Sequence, residues 1–131
     1  MDTSKISVLI IDDSPHIRIL VSRYLKTLGF EKIETAVNGT LGLAKAWSVK
    51  PDLILLDGVM PEMDGLTALG KIKKIHADSV IVMITSISSK EAILKFKETG
   101  ADYYLLKPFT EEKFAETVKH ALNLIEERKA K

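Results

Sequence analysis

The sequence predicts an α/β protein in which a parallel sheet carries helices on both of its faces. Apolar strand-length segments alternate with helical segments five times along the 131 residues. Three of the strand segments, 8–11, 53–56 and 80–84, are continuous apolar runs, which is typical of strands buried on both faces. This alternation favours right-handed crossovers between parallel strands.

The first half of the chain contains two strand–helix pairs and a third strand. A serine cap followed by proline opens the first helix, and a glycine ends it. The second strand is weaker because its residues only alternate between apolar and polar. The predicted elements are a strand at 5–11, a helix from Ser14-Pro15 to Gly29, a strand at 31–37, a turn at Asn38-Gly39, a helix from Leu41 to Val49 and a strand at 53–57.

The second half continues the alternation to the end of the chain. A serine three residues before a glutamate predicts a capping box for the fourth helix. The charged last residues are expected to fray. The predicted elements are a helix from Leu66 to His76, a strand at 80–84 ending at Thr85-Ser86, a helix capped by Ser88 and Glu91 that reaches Thr99, a strand from Tyr103 to Leu106, a helix capped by Thr110, and a tail from Glu126 to Lys131.

Length and composition indicate a single globular domain over 1–131, with its core at about 5–127. Apolar residues make up 46% and charged residues 28% of the chain, which excludes a disordered protein. A net charge of +1 gives no reason to expect direct binding to nucleic acid or membrane. The absence of cysteine excludes disulfides and thiolate chemistry. No apolar run suits a membrane span, so we expect a cytoplasmic protein.

Acidic residues stand where the first and third strands end. Asp12 and Asp13 follow the first strand, and Asp57 ends the third. If the strands are parallel neighbours, these carboxylates converge at the edge where open α/β sheets bind ligands. Two unit charges ~4 Å apart repel by roughly 4 kcal/mol at an effective dielectric of ~20, so the pocket would take up a cation or a proton. Oxygen ligands favour Mg²⁺. The alternative is that each acid only caps the next helix.

The fourth and fifth strands end in groups that suit a phosphoryl ligand. Thr85 offers a hydrogen-bond donor and Lys107 a positive charge to phosphoryl oxygens. Ser86 is either a second donor or a structural hydroxyl. One carboxylate can act as a nucleophile and form an acyl phosphate. We favour Asp57 for this role because it stands alone at the centre of the predicted edge.

The chain resembles the receiver domains of two-component response regulators over its whole length, most of all the single-domain, chemotaxis-type members. The likeness is carried by Asp12-Asp13, Asp57, Met60-Pro61, Met63-Asp64-Gly65, Thr85, Gly100-Ala101 and Lys107-Pro108-Phe109. It implies a flavodoxin-like, doubly wound, five-stranded parallel sheet of order 2-1-3-4-5 with five helices. It also implies a signalling switch rather than an enzyme, one that catalyses its own phosphorylation and slow dephosphorylation.

The resemblance also implies a metal site and a phosphoryl donor. Asp57 would accept the phosphoryl group from a sensor histidine kinase or a phosphotransfer protein. Asp13 and Asp57 would ligate Mg²⁺ directly and Asp12 through water, with the backbone carbonyl of Val59 completing the set.

The same resemblance implies how the signal leaves the site. Thr85 and Lys107 would bind the phosphoryl oxygens, and Tyr104 would turn inward as Thr85 moves. The bond between Lys107 and Pro108 would be cis. A downstream protein would dock on helix 4, strand 5 and helix 5.

Some residues depart from the family pattern. Val59 and Ile87 are apolar where many relatives carry polar side chains. We therefore expect slow self-dephosphorylation, because apolar groups exclude or fail to orient the attacking water. Trp47 is predicted on the second helix, where its fluorescence would not report metal binding. His16 and His120 are expected to be exposed helix residues rather than ligands.

Other functions remain open on the sequence alone. An aspartyl-nucleophile phosphatase of the haloacid-dehalogenase type needs an acid two residues after the nucleophile, where Val59 stands. A nucleotide-binding domain needs a glycine-rich turn where Asp12-Asp13-Ser14-Pro15 stands. A phosphorelay intermediate and a receiver that is never phosphorylated are further alternatives. No output domain is recognised, so a stand-alone regulator is expected.

Overall fold

The computed structural model describes residues 2–131, and over this range strands and helices alternate as predicted. A short 3₁₀ helix at Thr3–Lys5 precedes them. The strands are β1 (Ser7–Ile11), β2 (Lys32–Ala36), β3 (Leu53–Asp57), β4 (Val80–Thr85) and β5 (Tyr103–Leu106). The helices are α1 (Pro15–Thr27), α2 (Gly39–Val49), α3 (Gly65–Ile75), α4 (Lys90–Thr99) and α5 (Glu111–Lys129).

The strands form one parallel sheet in the order β2-β1-β3-β4-β5. Its register aligns one residue from each strand in a row, namely Ala36, Ile11, Leu56, Met83 and Tyr104. The carboxyl ends of the strands therefore lie along one edge of the sheet. The predicted α/β class and the flavodoxin-like order 2-1-3-4-5 are confirmed.

The core has two layers because successive strand residues point to opposite faces. On one face Val8 and Ile10 pack with α1 and α5, and on the other Leu9 and Ile11 pack with α2, α3 and α4. Both faces are covered, which explains why β1, β3 and β4 are apolar without interruption.

Each helix begins with a polar cap that accepts a backbone N–H three residues on. The caps are Ser14, Asn38, Asp64, Ser89 and Thr110. The predicted capping box of Ser88 and Glu91 is wrong, since Ser89 Oγ accepts the Ala92 N–H at 3.2 Å. The predicted turn at Asn38-Gly39 is the start of α2 instead.

The predicted fraying tail is also wrong, because α5 continues to Lys129. Arg128 Nη2 donates to Asp102 Oδ1 at 2.7 Å, and Lys129 Nζ lies 3.3 Å from Asp52 Oδ1. These partners lie far away in sequence, so local composition could not reveal them. None of the helices described over residues 2–131 has the length and apolar character needed to cross a bilayer.

Candidate functional site

The carboxyl edge of the sheet gathers the predicted site residues. Asp12 follows β1, Asp57 ends β3, Thr85 ends β4 and Lys107 follows β5. Asp57 is aligned with Ile84, so the last residues of β3 and β4 are neighbours. The parallel register therefore brings residues 95 positions apart into contact, as in the hydrogen bond from Lys107 to Asp12.

Three carboxylates meet at this edge. One oxygen each of Asp12, Asp13 and Asp57 lies within 4.8 Å of the other two. Asp12 is 2% exposed and Asp57 is 4% exposed, whereas Asp13 faces solvent. The predicted convergence is therefore present in the structure. Clustered, half-enclosed oxygen donors of this kind fit a hard divalent cation such as Mg²⁺.

Lys107 supplies positive charge at the same place. Its Nζ lies 2.9 Å from Asp12 Oδ2 and 3.4 Å from Asp57 Oδ1. One ammonium is thus shared between two buried carboxylates and leaves the cluster with net negative charge. The Lys107–Pro108 bond is cis, as the resemblance implies.

Asp12 already has protein partners on both carboxylate oxygens. Oδ1 accepts the Ser14 N–H at 2.9 Å, and Oδ2 accepts the Lys107 ammonium. Its backbone carbonyl accepts a hydrogen bond from Arg18 Nη1 at 2.8 Å. The role of Arg18 was missed by sequence reasoning, and its position one turn into the helix after the acids was the available signal.

Asp57 is less fully engaged. Its Oδ1 accepts the Val59 N–H at 3.1 Å, and its carboxyl group also lies close to that of Asp13. The pKa of Asp57 is raised to about 6, mainly by burial and also by the Asp12 charge and the Asp13 side chain, while the Val59 N–H and Lys107 oppose the shift. The carboxylate is therefore held in a state that a cation would stabilise.

Thr85 is fully buried beside Asp57. Its Oγ1 accepts the Ile87 N–H at 3.3 Å, which leaves the hydroxyl proton free to be donated. A Cβ on Gly58 would lie only 2.6 Å from Thr85 Oγ1 and 3.2 Å from the Phe96 ring. The Thr85 hydroxyl therefore lies against Gly58, the residue after Asp57, and a side chain at position 58 would displace it, a constraint that the sequence did not reveal.

Tyr104 lies on the side of β5 that faces α4. Its ring is 6.0 Å from that of Phe96, and its hydroxyl is buried with no hydrogen-bond partner among residues 2–131. Burial raises the pKa of this hydroxyl. Tyr103 points to the opposite face, where its hydroxyl donates to the His120 carbonyl at 3.1 Å.

The other candidates lie around this cluster. Ser86 is exposed at the end of β4, the Val59 side chain is 53% exposed, and Ile87 is half-buried. His16 and His120 are exposed on α1 and α5, as predicted. The second-donor role of Ser86 and the ligand role of the Val59 carbonyl stay predictions.

A doubly wound sheet with an acidic trio, a hydroxyl and a lysine at its carboxyl edge defines the response-regulator class of signalling domains. The sequence model of the response regulator receiver domain matches residues 8–119, and the chain belongs to this family.

Individual relatives agree with this assignment. The chain is 34% identical over 116 residues to the chemotaxis protein CheY of Bacillus subtilis, covering 88% of this chain and 97% of that protein. A CheY-like receiver structure from Methanospirillum hungatei has a TM-score of 0.87 at 30% identity, covering 92% and 96% of the two chains. A CheX–CheY complex with BeF₃ and Mg²⁺ from Borrelia burgdorferi gives 0.85 at 27% identity, covering 89% of each chain.

Proposed function

We propose that this protein is a phosphorylation-driven binding switch. Asp57 accepts a phosphoryl group from a phosphohistidine on a sensor histidine kinase or phosphotransfer protein. The modification then alters a docking surface on α4, β5 and α5 for a downstream protein. The observation that carries the proposal is the position of Asp57, a buried carboxylate 3.4 Å from Lys107 and within 4.8 Å of two further acids.

The acidic cluster is proposed to hold Mg²⁺. Asp13 and Asp57 would be its direct carboxylate ligands, with the Val59 carbonyl beside them. Asp12 would act through water, and the engagement of both its oxygens by Ser14 and Lys107 supports this indirect role. When bound, the ion neutralises the acids and stabilises charge on the transferring phosphoryl oxygens.

The chemical step is an in-line displacement at phosphorus. A carboxylate oxygen of Asp57 forms the new P–O bond while the P–N bond to the donor imidazole breaks. The electron pair of that bond stays with the nitrogen, and the donor ring, protonated on its other nitrogen, leaves as neutral imidazole. Lys107 and Thr85 bind phosphoryl oxygens during this transfer, which is almost entirely a matter of positioning and charge.

The docking surface is coupled to the site through Thr85. Its hydroxyl proton is available for a phosphoryl oxygen, since Oγ1 only accepts from Ile87 N–H. Displacement of Thr85 toward the phosphoryl group changes the space around the ring of Tyr104, whose hydroxyl is already buried without a partner among residues 2–131. A groove of about 300 Å³ lined by Ile93, Phe96 and Tyr104 lies on this surface and would change shape with the ring. Phosphorylation biases conformations that already exist, by its differential interaction with them.

Incubation with a small acyl phosphate and Mg²⁺, followed by intact mass measurement, tests the proposal. The wild type should gain one phosphoryl group and Asp57→Asn should gain none. Asp78→Asn is the matched control, because it makes the same change at an exposed aspartate outside the cluster. Equal gain in the Asp57 variant, or loss of the gain in the control, contradicts the proposal.

A further inference from the structure

We propose that the outer face of α2 is a self-association surface, on which a second copy of this chain packs antiparallel with the two helices crossing at Ala44. This α2 face consists of five exposed residues, Thr40, Leu41, Ala44, Trp47 and Ser48. Leu41 is 48% exposed and Trp47 is 66% exposed. An exposed tryptophan and an exposed leucine on either side of Ala44 form the kind of surface that interfaces cover.

The α2 face carries no charge, which suits a symmetric contact. Lys45 is the one charged residue of α2, and its Nζ is turned away to donate to the Thr35 carbonyl at 2.6 Å. An isologous interface places the same patch of both copies together, so charged patches set like charges close to one another. Within residues 2–131 the other four α-helices all expose charged side chains, including Arg23, Lys71, Lys90 and Glu116.

The α2 face is also symmetric about its centre. Leu41 and Trp47 lie three residues before and after Ala44, and Thr40 and Ser48 lie four residues before and after it. In an antiparallel pair crossing at Ala44, Leu41 packs against Ser48 of the partner subunit and Trp47 packs against Thr40 of the partner subunit, because each pair lies on the same flank of the face. Each contact occurs twice. The small side chain of Ala44 allows close approach of the helices.

Charges at the two ends of α2 favour the same arrangement. Lys50 caps the carboxyl end. A Cβ on Gly39 would lie 2.9 Å from Met63 Sδ, so the loop that carries exposed Glu62 flanks the amino end. Antiparallel packing brings this acidic end toward Lys50 of the partner subunit. It also aligns the two helix dipoles in opposite directions, which is favourable. A contact made by one helix buries less than the roughly 1,200 Å² of stable interfaces, so the dimer is weak.

Sedimentation velocity over about 10 μM to about 1 mM tests the proposal in the range of weak affinities. The mass of the wild type should rise toward that of a dimer, and the emission of Trp47, the single tryptophan, should shift to the blue as the concentration rises. Ala44→Glu places two carboxylates at the crossing and should lower the association constant at least about tenfold. Ala77→Glu, the same change at an exposed loop position, should leave it unchanged.

Cross-linking tests the geometry, because the chain has no cysteine. With a mild oxidant such as diamide, Ala44→Cys should form a disulfide dimer faster than Ala77→Cys. An equimolar mixture of Leu41→Cys and Ser48→Cys should give the mixed dimer in clearly more than the twofold excess over either homodimer that random pairing produces. Thermal melts by circular dichroism confirm that each variant is folded. A wild type that stays monomeric, equal cross-linking rates at positions 44 and 77, or a mixed dimer at no more than twice the level of either homodimer overturns the proposal.

Discussion

The two edges of the sheet use aspartate in opposite ways. At the amino edge Asp52 and Asp102 each have a cation and a backbone donor of their own. Asp102 accepts the Ile81 N–H at 2.9 Å and pairs with Arg128 at 2.7 Å, and Asp52 accepts the Ser7 N–H at 3.0 Å and pairs with Lys129. These acids hold the end of α5 against the sheet.

At the carboxyl edge a cluster of three acids has a single lysine beside it, and only two of the acids pair with it. Asp12 and Asp57 both approach Lys107, and Asp13 has no cation within 4.0 Å among the described residues. The comparison shows that one residue type stabilises the fold where its charge is matched. Where its charge is unmatched, neighbouring carboxylates repel one another, and binding of a cation or phosphoryl transfer relieves that repulsion.

The largest effect is expected at the amino edge. Asp102→Ala leaves the Ile81 N–H without its acceptor and removes the carboxylate partner of Arg128, which keeps only backbone carbonyl acceptors, so the free energy of unfolding should fall by about 2–4 kcal/mol. Urea denaturation measures it. Asp78→Ala, at an exposed neighbouring position, should change stability by less than about 0.5 kcal/mol. Equal losses of stability in the two variants would contradict the view that paired carboxylates at the amino edge stabilise the fold.

At the carboxyl edge, removing an acid should stabilise the metal-free protein. The pKa of Asp57 is raised from 3.8 to about 6 in the folded state, so its ionisation opposes folding. The cost is absent below pH 3.8, grows as pH rises, and is complete above about 6. Its full value is about 3 kcal/mol, reduced to about 1–2 by solvent at the open pocket.

Urea midpoints in EDTA should therefore show Asp57→Asn more stable than wild type at pH 7.5 and equal to it near pH 3.5, values that bracket the titration. At pH 7.5 Mg²⁺ should reduce the difference in urea midpoint between the variant and the wild type, because only the wild type keeps all of the metal ligands. If the variant were less stable than the wild type at pH 7.5 without metal, the carboxylate charges at the carboxyl edge would be as well paired as those at the amino edge.

A smaller effect is expected on the lifetime of the phosphorylated protein. Val59→Asn introduces a polar group that can orient water, so the rate of phosphoryl loss should rise about tenfold, equivalent to about 1.4 kcal/mol. Intact mass against time measures the rate. Val37→Asn, at another exposed valine, is the control. A wild-type lifetime of seconds would contradict the expectation of slow loss.

The smallest effect is expected from the existing fluorophore. Trp47 lies on the outer face of α2, away from the acidic cluster, so Mg²⁺ should leave its emission unchanged in dilute monomer. A Trp47→Phe, Val59→Trp double variant places the ring two residues from Asp57 and should respond to the same titration. A large quench in the wild type would contradict this expectation and show that Mg²⁺ binding at the carboxyl edge changes the environment of α2.

Much of the architecture followed from local pattern. The uninterrupted apolar runs before Asp12 and Asp57 predicted strands buried on both faces, and β1 and β3 have that burial. The alternation of elements predicted a parallel sheet, which places strand ends on one edge. Element ends were less certain, because adjacent serines such as Ser88 and Ser89 offer the same cap chemistry and packing selects between them.

What the sequence determined by itself is what neighbours along the chain decide: the strand and helix periods, the caps and the acid that ends each buried strand. Only the tertiary structure decided which cation each carboxylate receives, since Lys107 reaches Asp12 across 95 positions and Arg128 reaches Asp102 across 26. It also decided that Gly58 lies against Thr85 and that Trp47 stays on the surface. The physical reason is that charge pairing and burial depend on distances in space, which follow from the register of the folded sheet.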